Sequence, residues 1–179
     1  MKLTLPSPIE KIVGILNFKL GGDVLPKSRV LCWLSLVAFA AAGALFQGNY
    51  FSPARSIASG IAGALLLAVV TLVSARVSGC NERLLQSLTA LALGGAIVIL
   101  VRTFLGFFIY INPIFEGLPE VNLRELIAFL LFPLYVWNVF VFAFLFRRSF
   151  RADVPIAFAI SIALVITVYF SVPAAFRSL

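Results

Sequence analysis

Histidine is absent from the 179 residues, and Asp and Glu together number only 7. Without histidine, no Ser–His–Asp or Cys–His pair can be assembled, and the most common neutral zinc ligand is missing. None of the carboxylates lies deep inside a long apolar run, which leaves out the proton relays that intramembrane acids support. Cysteine occurs twice, at Cys32 and Cys80. The two are far apart in the chain and both fall toward the side read below as cytosolic, so a structural disulfide is not expected. Charged residues make up 12% of the chain, about half the share of an ordinary soluble domain. The alternating pattern of a membrane β-barrel is also missing. These absences point away from an enzyme: no catalytic set, metal site or cofactor is expected.

What the chain does have is apolar length. Hydrophobic residues make up 62% of it, gathered into runs of about 18 residues or more, the signature of transmembrane helices. The reading is an all-α integral membrane protein with five spans, at about 30–47, 56–75, 84–111, 123–146 and 154–175. Residues 1–29 form a cytosolic N-terminal segment and 30–179 the membrane domain. In the segment, Ser7, Pro8 and Glu10 match a capping box with proline at the first helical position. Ile9, Ile12, Val13, Leu16 and Leu20 then fall on one stripe, and Gly21 and Gly22 are placed to close the helix. It is too short to span. An amphipathic helix lying in the membrane interface is expected, the other reading being a helix packed on the cytosolic ends of the bundle. The segment lacks the apolar core and cleavage site of a removable signal peptide.

The basic residues orient the bundle. With the N-terminus inside, ten of the fourteen lysines and arginines fall in inner segments, among them Arg76, Arg83, Arg147, Arg148 and Arg151. Outer segments hold Arg55, Arg124 and Arg177. By the positive-inside rule the N-terminus is cytosolic and the C-terminus extracytoplasmic. The net charge of +7 is accounted for by this placement, so no nucleic-acid partner is inferred. The expected setting is a multi-pass protein of a bacterial inner membrane.

The third span organises the rest. It reads LLQSLTALALGGAIVILVRTFLGFFIYI and carries one charge deep inside, Arg102. As a helix it is about 42 Å long, and Arg102 lies roughly 13 Å below its outer end. A charge at that depth costs ~2.5–3.5 kcal/mol on insertion scales. Helical periodicity puts Leu91, Gly95, Val98, Ile99, Gly106 and Ile109 on the same face, and the two glycines suggest close approach by a neighbouring helix. Arg102 is therefore expected to face the interior. Its candidate partners are Glu125, reached by snorkelling outward, and the neutral Asn138 and Thr167 at similar depth. The set Arg102, Glu125, Asn138 and Thr167 is either a buried structural cluster or an anion or lipid-headgroup site.

Packing signals accompany it. Small residues fill the outer halves of span one (Ala38 to Ala44) and span two (Ser56 to Ala64), which predicts a tight hairpin. Span four, rich in Phe, Leu, Val, Tyr and Trp, reads as a lipid- or partner-facing wall, and Pro133 predicts a kink in it.

Five spans, a cytosolic N-terminus, the short charged loop within GCNERLLQSLTALA and the later WNVFVFAFLFRRSFRADVPIAFAI resemble the layout of Yip1-type membrane proteins across spans two to five. The resemblance implies a polytopic membrane protein of a family whose eukaryotic members are associated with vesicle traffic and small GTPase partners. No residue role is carried over. The expected function is a small scaffold or accessory subunit that meets membrane lipids and other membrane proteins or further copies of itself. The alternative is a small transporter, or a lipid- or anion-handling protein that uses Arg102.

Overall fold

The computed structural model describes residues 8–48, 52–111 and 120–177, with the side chains at 8–9, 110–111, 120–124 and 177 left aside. The described residues are helical, with no strand among them. Five helices are long and apolar enough to cross a membrane. In chain order the elements are α1 (Pro8–Leu16), α2 (Arg29–Gln47), α3 (Pro53–Val77), α4 (Leu84–Ile111), α5 (Glu120–Phe150), α6 (Val154–Ile166) and α7 (Val172–Arg177). A π-helical turn, Thr167–Ser171, joins α6 to α7, so the last long helix is continuous through all three. The expected N-cap Ser7 and the residues between α2 and α3 at 49–51 lie outside the described residues.

The bundle is built around α4. Of its apolar window 67% is buried, against 28% to 39% for the other four long helices. The reason is in its sequence: from Ser87 to Ile99 every residue but two is buried, with small Ala and Gly side chains between larger Leu, Val and Ile. Neighbouring helices therefore approach it from several sides, and α1, α2, α3 and α5 all pack on it. Gly95 shows how. A Cβ there would stand 2.5 Å from the Phe39 ring of α2 and 3.2 Å from Phe142 of α5. The glycine seats an aromatic ring, not the backbone of another helix. Gly106 is looser, its nearest neighbour being a Leu131 methyl at 3.8 Å. Leu91, Val98 and Ile99 are buried on the Arg102 face as periodicity predicts, while Gly106 and Ile109 are only partly covered.

Between α2 and α3 the expected hairpin is tight. A Cβ on Gly60 would collide with the Ala40 carbonyl oxygen and stand 3.0 Å from the Ala44 backbone nitrogen. Backbone meets backbone there, which small residues alone permit. In α5 the wall is apolar as read, but divided. Val141, Phe142, Leu145 and Phe146 are core, and Phe129, Phe132 and Phe140 are exposed. The helix runs on through Pro133.

The N-terminal segment ends its helix sooner than its glycines suggest. α1 stops at Leu16, and the chain reverses at Phe18, whose φ of 58° is left-handed. Lys19 and Leu20 both donate their backbone N–H to the Gly14 carbonyl, at 2.8 and 3.0 Å. Gly21 and Gly22 have a different use. They are buried, Gly21 against the Arg148 side chain and Gly22 within 3.4 Å of Gln86, Ser87 and Ala90 as a Cβ would see it. They let the segment lie flat on the start of α4 and the end of α5. Gln86 Nε2 then donates to the carbonyls of Asp23 and Leu25, at 3.1 and 2.6 Å, and Arg148 pairs with Asp23 at 3.6 Å. Ile15 and Leu16 are buried in the core beside α4. This is the near end of the bundle; the last turn of α2 and the first turn of α3 mark the far end. Both cysteines are free thiols.

Candidate functional site

Toward the far end, α4 carries Arg102 into the interior. Its side chain is 2% exposed, among the largest fully enclosed side chains of the chain. Three aromatic rings from three other helices surround the guanidinium. Cζ lies 3.4 Å from the Phe46 ring centroid in the last turn of α2, 4.7 Å from Tyr135 of α5 and 5.0 Å from Tyr169 of the π turn. The negative faces of aromatic rings attract a guanidinium, by ~0.5–1 kcal/mol each when exposed and ~2 or more when desolvated. Two or three such contacts match the ~2.5–3.5 kcal/mol that an insertion scale assigns to the charge. The cage is thus large enough to hold the cation where the sequence puts it.

The rings are themselves fixed. Tyr135 meets Tyr169 edge-on at 5.5 Å and Phe170 at 5.5 Å in a tilted stack. Tyr169 Oη accepts a 2.8 Å hydrogen bond from Asn138 Nδ2, one turn along α5 from Tyr135. Asn138 is completely buried, and its Oδ1 has no hydrogen bond. The π turn that presents Tyr169 has a local cause. Pro173 follows it, and in a regular helix a proline ring presses on the carbonyl four residues back, here that of Tyr169. Widening the turn relieves that clash, a common use of π turns at functional sites.

Beside the guanidinium is a void of about 20 Å³, enough for about one water. Gln47, Ser59, Gly60, Arg102 and Tyr169 are among its lining residues. Gln47 Oε1 and Ser59 Oγ are both buried without a hydrogen bond. Ser59 is unusual in this. Ser56, Thr71, Ser74, Ser87, Thr89, Thr103, Ser161 and Thr167 each donate their hydroxyl to the carbonyl four residues back. Ser59 makes no such bond, and its oxygen is available to whatever occupies the void.

Of the residues singled out from sequence, Arg102 and Asn138 come together, bridged by Tyr169. Thr167 does not join them: it is partly exposed and donates to the Ala163 carbonyl at 2.7 Å. Glu125 does not join them either. It is exposed, and no ion pair links it to Arg102 among the described residues. Arg102 meets α5 at Tyr135, ten residues further on, about 15 Å along the helix axis. Snorkelling toward Glu125 is replaced by aromatic enclosure. Phe46, Gln47, Ser59 and Tyr169 were not legible as members of the site, because an aromatic, an amide or a hydroxyl near a helix end looks the same whether it faces lipid or core. No group of three His, Cys, Asp or Glu side chains suited to a metal ion occurs among the described residues.

No protein-family model matches the chain, and neither a curated protein nor a solved structure matches it, so the likeness to Yip1-type proteins rests on the layout of the sequence alone.

Proposed function

We propose that the chain is a non-enzymatic, multi-pass membrane protein that serves as an accessory subunit or scaffold, docking another membrane helix against the far halves of α4 and α5. The observation that carries this reading is a change along α4 itself. Its first two-thirds are enclosed, yet Leu100, Val101, Phe104, Leu105, Phe107 and Phe108 are all exposed. Phe129, Leu130 and Phe132 of α5 are exposed at the same end of the bundle. Aromatic side chains at such a face give large contact area with little rotamer entropy to lose. A photo-crosslinker in place of Phe132 is expected to give one discrete protein adduct in native membranes, and a crosslinker in place of Val69 on α3 none. Adducts to lipid alone at both positions would overturn the docking reading.

In this reading the near end is cytosolic, with α1 lying at the membrane interface over the inner ends of the bundle. Arg76, Arg83, Arg147, Arg148 and Arg151 mark that side, and the ten-to-three bias of basic residues supports it. A topology reporter fused after Leu179 is expected outside, and one inserted between Arg148 and Ser149 inside. A cytosolic C-terminus means that one of the five helices does not cross.

The second reading, anion handling, has one specific observation in its favour: Gln47, Ser59 and Arg102 line one small void together. Its volume favours the first, because about 20 Å³ admits a water or a single small ion and no larger substrate.

A further inference from the structure

A second cavity lies on the opposite, near end of the bundle, on the flank between α5 and α6. It measures about 220 Å³ and is lined by Phe18, Phe140, Ala143, Phe144, Arg147, Val154, Ala157 and Phe158. The pattern of side chains explains the cleft. Ala143 and Ala157, both buried, face it from adjacent helices and leave a low floor. Aromatic rings rise on either side: Phe140 meets Phe158 edge-on at 5.1 Å, and Phe18 meets Phe144 edge-on at 5.7 Å. Phe18 reaches this place only because its backbone is left-handed, which reverses the chain after α1. A residue with a Cβ adopts that conformation at a cost, so the position of this ring over the cleft is a built feature.

The lining is apolar except at one point, Arg147, which is exposed at the last turn of α5. Its neighbours leave it as the cation of the mouth. Arg148 is tied to Asp23 at 3.6 Å, and its carbonyl accepts a 3.3 Å hydrogen bond from Arg83 Nη1. Arg151 and Asp153, both exposed, follow in the short turn before α6, and neither carboxylate, Asp23 or Asp153, forms an ion pair with Arg147. An apolar trough that ends in a guanidinium has the chemistry of one molecule: a hydrocarbon chain carrying an anionic head.

We propose that this cleft holds one acyl chain of an anionic phospholipid from the cytosolic leaflet, with its phosphate on Arg147. The assignment rests on the reading that the chain spans a membrane with its near end cytosolic, and it is independent of the docking face at the far end. Basic side chains at a membrane surface favour anionic lipid by about five-fold each, and the aromatic walls hold the chain in register with the charge. Arg147 is the specificity element and the Phe18 ring covers the tail.

The full chain would be reconstituted in vesicles of equal phosphatidylglycerol and phosphatidylcholine, extracted in mild detergent, and its retained lipids counted by native mass spectrometry. The parent is expected to keep one phosphatidylglycerol in preference to phosphatidylcholine, and Arg147→Gln to lose that preference by about five-fold. Arg151→Gln removes another exposed charge, outside the cleft, and is expected to keep it. Equal retention of both lipids by the parent overturns the site, as does an Arg151→Gln effect as large as that of Arg147→Gln. Flotation of the parent with the vesicles reports insertion separately. A chain that floats without any headgroup preference sinks the lipid site and leaves the membrane reading standing, and a chain that does not float overturns both.

Discussion

Gly60→Ala is expected to destabilise the bundle by about 3 kcal/mol, at the upper end of the usual overpacking range, while Gly63→Ala three residues later is close to neutral. The two glycines look alike in sequence. At Gly60 an added methyl meets the Ala40 carbonyl oxygen and the Ala44 nitrogen, both backbone. No rotamer change removes that collision, so α2 and α3 must separate. Separation has further consequences, because α2 also brings Phe39 onto Gly95 and Phe46 onto Arg102. At Gly63 the nearest atoms are a Val168 methyl at 3.5 Å and the edge of the Phe39 ring at 3.9 Å, ordinary contacts. Replacing glycine by alanine there also favours the helix by roughly 1 kcal/mol, which offsets minor crowding. Gly60→Val should prevent the hairpin from closing at all. Reversible unfolding in bicelles would separate the variants. Equal, small effects at both positions would mean that α2 and α3 do not approach backbone to backbone.

That contrast also shows what the sequence made legible. The stripe of small residues announces close packing in α2 and α3, because nothing but a close neighbour requires a run such as Ala40 to Ala44, five small side chains in succession. It does not announce which glycine bears the contact, which depends on the rotation of two helices to within a few degrees. The central place of α4 was legible for a similar reason: a single charge in an apolar run has to face inward. Its surroundings were not. Glu125 is the nearest carboxylate in the pattern of spans, and opposite charge is the obvious partner, but Glu125 stays exposed and Phe46, Tyr135 and Tyr169 lie around the guanidinium. Rings of these types also cover the exposed flank at Phe104, Phe107 and Phe132. Composition cannot divide the two sets. Tyr169 is selected by the π turn ahead of Pro173, a half-step of rotation that a regular 3.6-residue period does not contain. At the near end, Gly21 and Gly22 read as a helix stop, yet they are spacers against Arg148 and Ser87, since a glycine needed for close approach and one needed for a turn are the same letter.

The largest effect tied to the candidate site is expected from Arg102→Ala. The change deletes a long, fully enclosed side chain and its contacts with three rings, and the remaining void joins the one already present beside Gln47 and Ser59. Large-to-small changes in a core cost ~2–5 kcal/mol, and relief from a buried charge returns part of that, so a net loss of ~2–4 kcal/mol is expected. Arg102→Lys keeps the charge and most of the volume but lacks the planar group that lies against the Phe46 ring, and should fall between parent and alanine. The rings can be tested separately. Tyr169→Phe keeps the aromatic face and removes only the hydroxyl that accepts from Asn138, a loss of ~0.6–1.7 kcal/mol for a hydrogen bond within a membrane bundle. Tyr169→Leu removes the face as well and should cost more. A double-mutant cycle between Arg102→Ala and Phe46→Leu isolates the closest contact and is expected to show coupling of ~1–2 kcal/mol. Zero coupling, with Arg102→Ala as stable as the parent, would mean that the rings only surround the cation and do not hold it. The void would then be the place to test for a ligand, and a Ser59→Ala, Gln47→Leu pair, which removes both unbonded oxygens without touching the cage, becomes the variant in which an anion-handling role is lost while the fold remains.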